Sequence, residues 1–157
     1  MNIRHILVAE DDDRDEEMTL NALEEYNLAN QVFVVRDGEE VLDYLYYRGK
    51  YQTRPRADPI TILLDLKMPK VTGLEVLRIV KADERLRTIP VVVLTSSREE
   101  PDLAECYKLG VNAYVVKPVD FQKFLASVRQ LGMFWAMVNQ PPPRGLDREI
   151  PDDIPPP

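Results

Sequence analysis

"TILLDLKMPKVTG", residues 61–73, contains an apolar run, Ile62 to Leu64, that stops on one carboxylate, Asp65, and breaks at once into Lys67, Met68 and Pro69. A run this short, apolar without alternation, suits a strand covered on both faces. The acid at its end has three readings: a cap, a surface charge, or a group held out from a rigid sheet to react. Taken alone, a cap is the plainest of these.

Working outward, similar runs rich in Val, Ile and Leu fall at 3–9, 31–35, 60–64, 90–94 and 113–116. Amphipathic helical patterns separate them, at 14–26, 39–48, 74–83 and 101–109. A fifth helix is expected from Phe121, where Phe121, Phe124, Leu125, Val128, Leu131, Trp135 and Val138 recur every three or four residues. Asp37-Gly38, Gly73 and Gly110 mark turns between these elements. Strict alternation of five strands and five helices predicts a doubly wound α/β domain with an all-parallel sheet. The order 2-1-3-4-5 places its switch point between strands 1 and 3. The segment 49–59, with Lys50, Arg54 and Arg56, reads as a solvated loop, the alternative being a partner-docking loop. The domain is expected over 1–139. The segment 140–157, rich in proline and charge, is expected to be an extended or disordered tail.

The 157 residues carry a net charge of -7, which argues against nonspecific binding to nucleic acid or anionic membrane. One cysteine, Cys106, excludes an internal disulfide and a thiolate-rich metal site, and one histidine, His5, excludes a site needing two. Cys106 reads as a helix residue without a redox role and His5 as an ordinary strand-start residue. No apolar run approaches the roughly 20 residues of a membrane span. Glu10 to Asp13 interrupt any signal-peptide pattern, so a cytoplasmic location is expected.

Ligands of such folds bind at the carboxyl ends of the strands. Strand 1 ends in Glu10-Asp11, strand 3 in Asp65, strand 4 in Thr95-Ser96 and strand 5 in Lys117-Pro118. The two acidic ends flank the switch point, so three carboxylates are expected in one crevice beside a hydroxyl and an ammonium. Clustered carboxylates repel unless a cation joins them. An all-oxygen set suits Mg²⁺, which takes one or two carboxylates together with water and phosphate oxygens. Lys117, Thr95 and the metal would then each hold one oxygen of a phosphoryl group. Asp65 could accept that group as an acyl phosphate. Asp12, Asp13 and Asp15 read as first-turn charges favoured by the helix dipole rather than as ligands.

The stretches "ILVAEDD", "ILLDLKMPKVTG", "VVVLTSS" and "YVVKP" resemble the signature of response-regulator receiver domains, over about residues 3–138. By that resemblance Asp65 is the phosphoacceptor. Glu10 and Asp11 are the acidic pair, with Asp11 the direct Mg²⁺ ligand and Glu10 acting through water. The backbone carbonyl of Lys67 is the third protein ligand. Thr95 and Tyr114 are the switch pair, and Lys117 contacts the phosphate. A cis turn at Pro118 is expected to aim Lys117. The stretch "VVRDGEEVLDYLYYRGKY", the long loop after it and Phe134-Trp135 look like the stand-alone receivers paired with phytochrome-type histidine kinases.

The implied function is a phosphorelay receiver, with no enzymatic activity beyond its own phosphorylation and dephosphorylation. It would signal through the face of helix 4, strand 5 and helix 5. Homodimerisation through that face is also expected. A helix over 121–138 would run about 27 Å, against about 17 Å for a strand, so Phe134, Trp135 and Val138 would overhang the sheet as anchors. Three other classes compete. An aspartate-nucleophile phosphatase usually has a second acid where this chain has Lys67. An FMN carrier needs a phosphate loop where acids follow strand 1. A scaffold that is never phosphorylated would not need the intact site.

Overall fold

The computed structural model describes residues 5–24, 32–96 and 100–117. Its strands are β1 (Ile6–Ala9), β2 (Val32–Val35), β3 (Thr61–Leu64), β4 (Val91–Thr95) and β5 (Ala113–Val116). Its helices are α1 (Asp13–Glu24), α2 (Gly38–Leu45), α3 (Gly73–Ala82) and α4 (Glu100–Lys108). The sheet runs β2-β1-β3-β4-β5, and every pairing is parallel, as the alternation of elements predicts. The fifth helix, the turn at Pro118, the residues Phe134, Trp135 and Val138 and the 140–157 tail lie outside the described residues. Among the described residues no helix is long and apolar enough to cross a membrane.

The period of two along each strand splits the core between the two faces. Leu7, Ile62, Leu64, Val91 and Val93 face a larger cluster with Val41 and Leu45 of α2 and Val76, Leu77 and Val80 of α3. Ile6, Val8, Leu63, Val92 and Leu94 face a smaller one with Leu23 of α1. Neither face is left to polar residues, which is why these strands lack alternation. Cys106 is buried in the larger cluster, and burial raises its thiol pKa to about 11, in keeping with a packing role.

Three local expectations need correction. The second helical pattern ends at Leu45, short of Arg48. Tyr47 adopts φ 55° and Gly49 φ 54°, a left-handed conformation that no right-handed helix continues, and a 3₁₀ turn follows at Gly49–Tyr51. The 49–59 segment is also not a simple solvated loop. The Arg54 guanidinium lies 3.9 Å from the ring centres of both Tyr44 and Tyr47. Its Nε donates to the Tyr44 carbonyl at 2.8 Å and its Nη1 to the Ala57 carbonyl at 2.9 Å. A guanidinium can do both because it is flat and has donors around its edge. His5 is more than a strand-start residue: it is buried, and its Nε2 shares a hydrogen bond with the Tyr44 hydroxyl at 2.8 Å.

The register positions the crevice. Ala9 pairs with Leu64, so Glu10 and Asp65 leave adjacent strands side by side. Thr95 pairs with Val116, so Lys117 follows just beyond Thr95, and its N–H donates to the Thr95 carbonyl at 2.6 Å.

Candidate functional site

Asp65 is buried, and each of its carboxylate oxygens has its own partners. Oδ1 accepts from the Thr95 hydroxyl at 2.9 Å and from the Lys67 N–H at 3.1 Å. Oδ2 accepts from Lys117 Nζ at 2.9 Å. The two oxygens are therefore set by β4, by the turn after β3 and by the end of β5.

Lys117 is buried too, and its ammonium meets three carboxylates. Besides Asp65 it donates to Glu10 Oε2 at 2.5 Å and to Asp15 Oδ2 at 2.8 Å. An ammonium has three N–H donors, so these contacts satisfy it. Burial acts to lower the Lys117 pKa, but Asp15, Glu10 and Asp65 outweigh it and hold the group charged. At Glu10 burial wins instead. Burial, with the nearby Asp65 charge adding to it, pushes its carboxyl up to about 7 despite Lys117.

The acidic trio differs from the expected one. The carboxylate oxygens within 4.8 Å of one another belong to Glu10, Asp15 and Asp65. Asp11 stands outside this trio: it is exposed, and its carbonyl accepts from Arg36 Nη2 at 3.0 Å. Arg36 also pairs with Asp13 and Glu16, which draws the start of α1 toward β2. Asp15 does sit in the first turn of α1, as its reading as a helix-dipole charge requires. That reading missed its contact with Lys117, a partner 102 residues away. The available signal was that the helix after β1 begins over the strand ends. Lys67 contributes its N–H to Asp65 from the turn. Tyr114 lies on β5 in register with Val93, half-buried against the larger core.

The trio fits a hard divalent ion. Its donors are all oxygens, and three carboxylates face a single ammonium, so the site attracts further positive charge.

A family model described as the response regulator receiver domain matches residues 6–129. The chain belongs to this family. Among its relatives is the response regulator Rcp1 of Synechocystis sp. (strain ATCC 27184 / PCC 6803 / Kazusa), 36% identical over 130 residues, covering 83% of this chain and 87% of Rcp1. A solved Rcp1 structure, the Mn²⁺-bound form, gives a TM-score of 0.83 at 34% identity and covers 89% of this chain and 99% of that one. The phosphorylated cyanobacterial phytochrome response regulator RcpA gives 0.83 at 36% identity, with the same coverage. The bacteriophytochrome response regulator AtBRR is 58% identical with a TM-score of 0.71, covering 89% of this chain and 100% of that one. This receiver is thus a two-component response regulator similar to the phytochrome response regulators over most of their length. Receiver domains as a family pair with histidine kinases.

Proposed function

We propose that Asp65 is the phosphoryl acceptor of a phosphorelay fed by a phytochrome-type histidine kinase. The observation that carries this reading is the split of contacts on Asp65, Thr95 and Lys67 on one oxygen and Lys117 on the other. In the reaction a carboxylate oxygen of Asp65 forms a bond to phosphorus. The bond from phosphorus to the donor, a phosphohistidine nitrogen or the acyl oxygen of acetyl phosphate, breaks, and the leaving atom keeps the electron pair. Once it is part of the acyl phosphate, Asp65 no longer carries a carboxylate charge. The Lys117 ammonium and the Thr95 hydroxyl would then turn to phosphoryl oxygens, which carry the negative charge instead.

Glu10 and Asp65, with Asp11 and the Lys67 carbonyl on the family pattern, would hold Mg²⁺. When bound it supplies charge neutralisation for the phosphoryl oxygens. The movement of Thr95 toward the phosphoryl group would open space for Tyr114, changing the face formed by α4, β5 and the segment that follows. That face is also the proposed surface for a homodimer.

The test is labelling by acetyl phosphate. An acid-stable, base-labile phosphoryl group is expected, lost in Asp65→Asn and in the presence of a chelator. Equal labelling of Asp65→Asn overturns the assignment. Turnover of external phosphoesters would favour an aspartate-nucleophile phosphatase instead.

A further inference from the structure

We infer that Asp15 is a positioning residue for phosphoryl binding, acting through Lys117. The inference rests on Asp65 being the phosphoacceptor. The Lys117 ammonium has three carboxylate partners in the crevice, Glu10 at 2.5 Å, Asp15 at 2.8 Å and Asp65 at 2.9 Å. The three do not stay equivalent through the reaction. Asp65 loses its carboxylate charge when it is phosphorylated. Glu10 is called on by any cation that enters beside Asp65, and a cation there repels the ammonium. Asp15 is not the acceptor, and the family pattern does not assign it to the metal, although its carboxylate lies within 4.8 Å of those of Glu10 and Asp65; it stands on a different element, the first turn of α1.

Asp15 is also the most open of the three, its side chain 27% exposed against 4% for Glu10 and 7% for Asp65. It lies at the mouth of the crevice, where it can keep one N–H of the ammonium while the other two are released. A lysine side chain has several free torsions, and one retained charge-assisted hydrogen bond removes much of that freedom. The ammonium then stays within reach of a phosphoryl oxygen and is not expelled toward solvent.

Two other roles give Asp15 different signatures. As a bare negative charge near the crevice it would repel an incoming anion, so its removal would tighten anion binding. As a direct cation ligand it would act with or without Lys117. As a positioning residue its removal weakens anion binding, and only while Lys117 is present.

The experiment is a double-mutant cycle on the full chain, reading beryllofluoride affinity at saturating Mg²⁺ by calorimetry. Asp15→Asn is expected to weaken beryllofluoride binding about fivefold, within the range of couplings between contacting residues. In a Lys117→Gln background the same change is expected to leave affinity unchanged or slightly raised. Asp15→Glu, which restores the charge, is expected to recover part of the loss. Tighter binding by Asp15→Asn in the native background overturns the inference, as does an equal loss in both backgrounds or no loss at all. Circular dichroism of each variant keeps a folding defect apart from these outcomes. Asp65→Asn is the separate control: if it binds beryllofluoride as the native chain does, the acceptor assignment fails, whatever the cycle shows.

Discussion

A β-carbon at Gly73 would lie 2.0 Å from the carbonyl oxygen of Asp65. The next atoms it would meet are the Leu66 Cα at 2.7 Å and the Asp65 carbonyl carbon at 2.8 Å, all backbone. Glycine at the start of α3 lets the helix close onto the turn that carries the acceptor, and the Gly73 N–H donates to the Leu66 carbonyl at 2.9 Å. Gly73→Ala must therefore push α3 and the 65–66 backbone apart. The expected loss of stability is about 1–3 kcal/mol, as for other overpacked sites. It should appear as a lower urea midpoint, together with weaker beryllofluoride binding because Asp65 is displaced.

Thr95 stands in a different relation to the same carboxylate. Its hydroxyl is one of two donors on Asp65 Oδ1, and the Lys67 N–H remains when it is removed. Thr95→Ala should lose about 1 kcal/mol of stability for the missing hydrogen bond. It should still be phosphorylated by acetyl phosphate. The effect of phosphorylation on partner binding should fall, because a ligand shifts a conformational equilibrium only by its differential contacts with the two states. Titration of a cognate kinase with native and Thr95→Ala chains, with and without beryllofluoride, checks this. Unchanged coupling would remove Thr95 from signal transmission.

The stacked guanidinium predicts a non-conservative outcome for a conservative change. Arg54→Lys keeps the charge but loses the planar contact with Tyr44 and Tyr47 and the fork of bonds to the Tyr44, Pro55 and Ala57 carbonyls. A loss of about 1–3 kcal/mol is expected from the lost carbonyl hydrogen bonds and the cation–π contacts together. Chemical denaturation measures it. Phosphorylation by acetyl phosphate should be nearly unaffected, since these contacts involve none of the strand-end residues.

The Tyr46–Asp83 pair gives a pH signature. The Tyr46 hydroxyl donates to Asp83 Oδ2 at 2.5 Å. Burial acts to raise the Asp83 pKa, but Tyr46 and the N–H groups of Arg85 and Leu86 outweigh it and hold the carboxyl below its usual range. Burial, reinforced by Asp83, pushes the Tyr46 phenol up to about 12. A depressed acid stabilises the fold above its unfolded pKa of about 4, and that stability is lost as pH falls through the folded value. A raised phenol stabilises the fold below its unfolded pKa of about 10, and that stability is lost as pH climbs toward 12. Tyr46→Phe should therefore be less stable than the native chain by a constant amount between about pH 5 and 9. The gap should narrow on both sides. Thermal melts across pH test this, and a gap that widens at either extreme would contradict it.

The elements of this receiver were legible because their signals are local. A strand buried on both faces shows as an unbroken run such as Ile62 to Leu64, and α2 shows in its amphipathic spacing. The residues at the strand ends were legible for the same reason. Once four runs are strands of one parallel sheet, Glu10, Asp65, Thr95 and Lys117 must emerge at one edge, and they do. The end of α2 was not legible, because Tyr47 takes its left-handed conformation while packing into the core and stacking with Arg54, not through any helix-breaking residue at that position.

The sequence alone therefore determined the order of elements, the parallel sheet and the four side chains that meet at its carboxyl edge, because each follows from short-range periodicity and the parallel rule. Only the tertiary structure decided that Asp15, not Asp11, joins Glu10 and Asp65. Those two acids are neighbours in the same loop and helix start, and their identity and charge are the same. What separates them is the direction in which α1 leaves β1, with Arg36 binding the Asp11 carbonyl and the Asp13 and Glu16 side chains on one side while Lys117 receives Asp15 on the other. Long-range contacts of that kind are made by the packing of one element across another, and no periodicity along the chain encodes them.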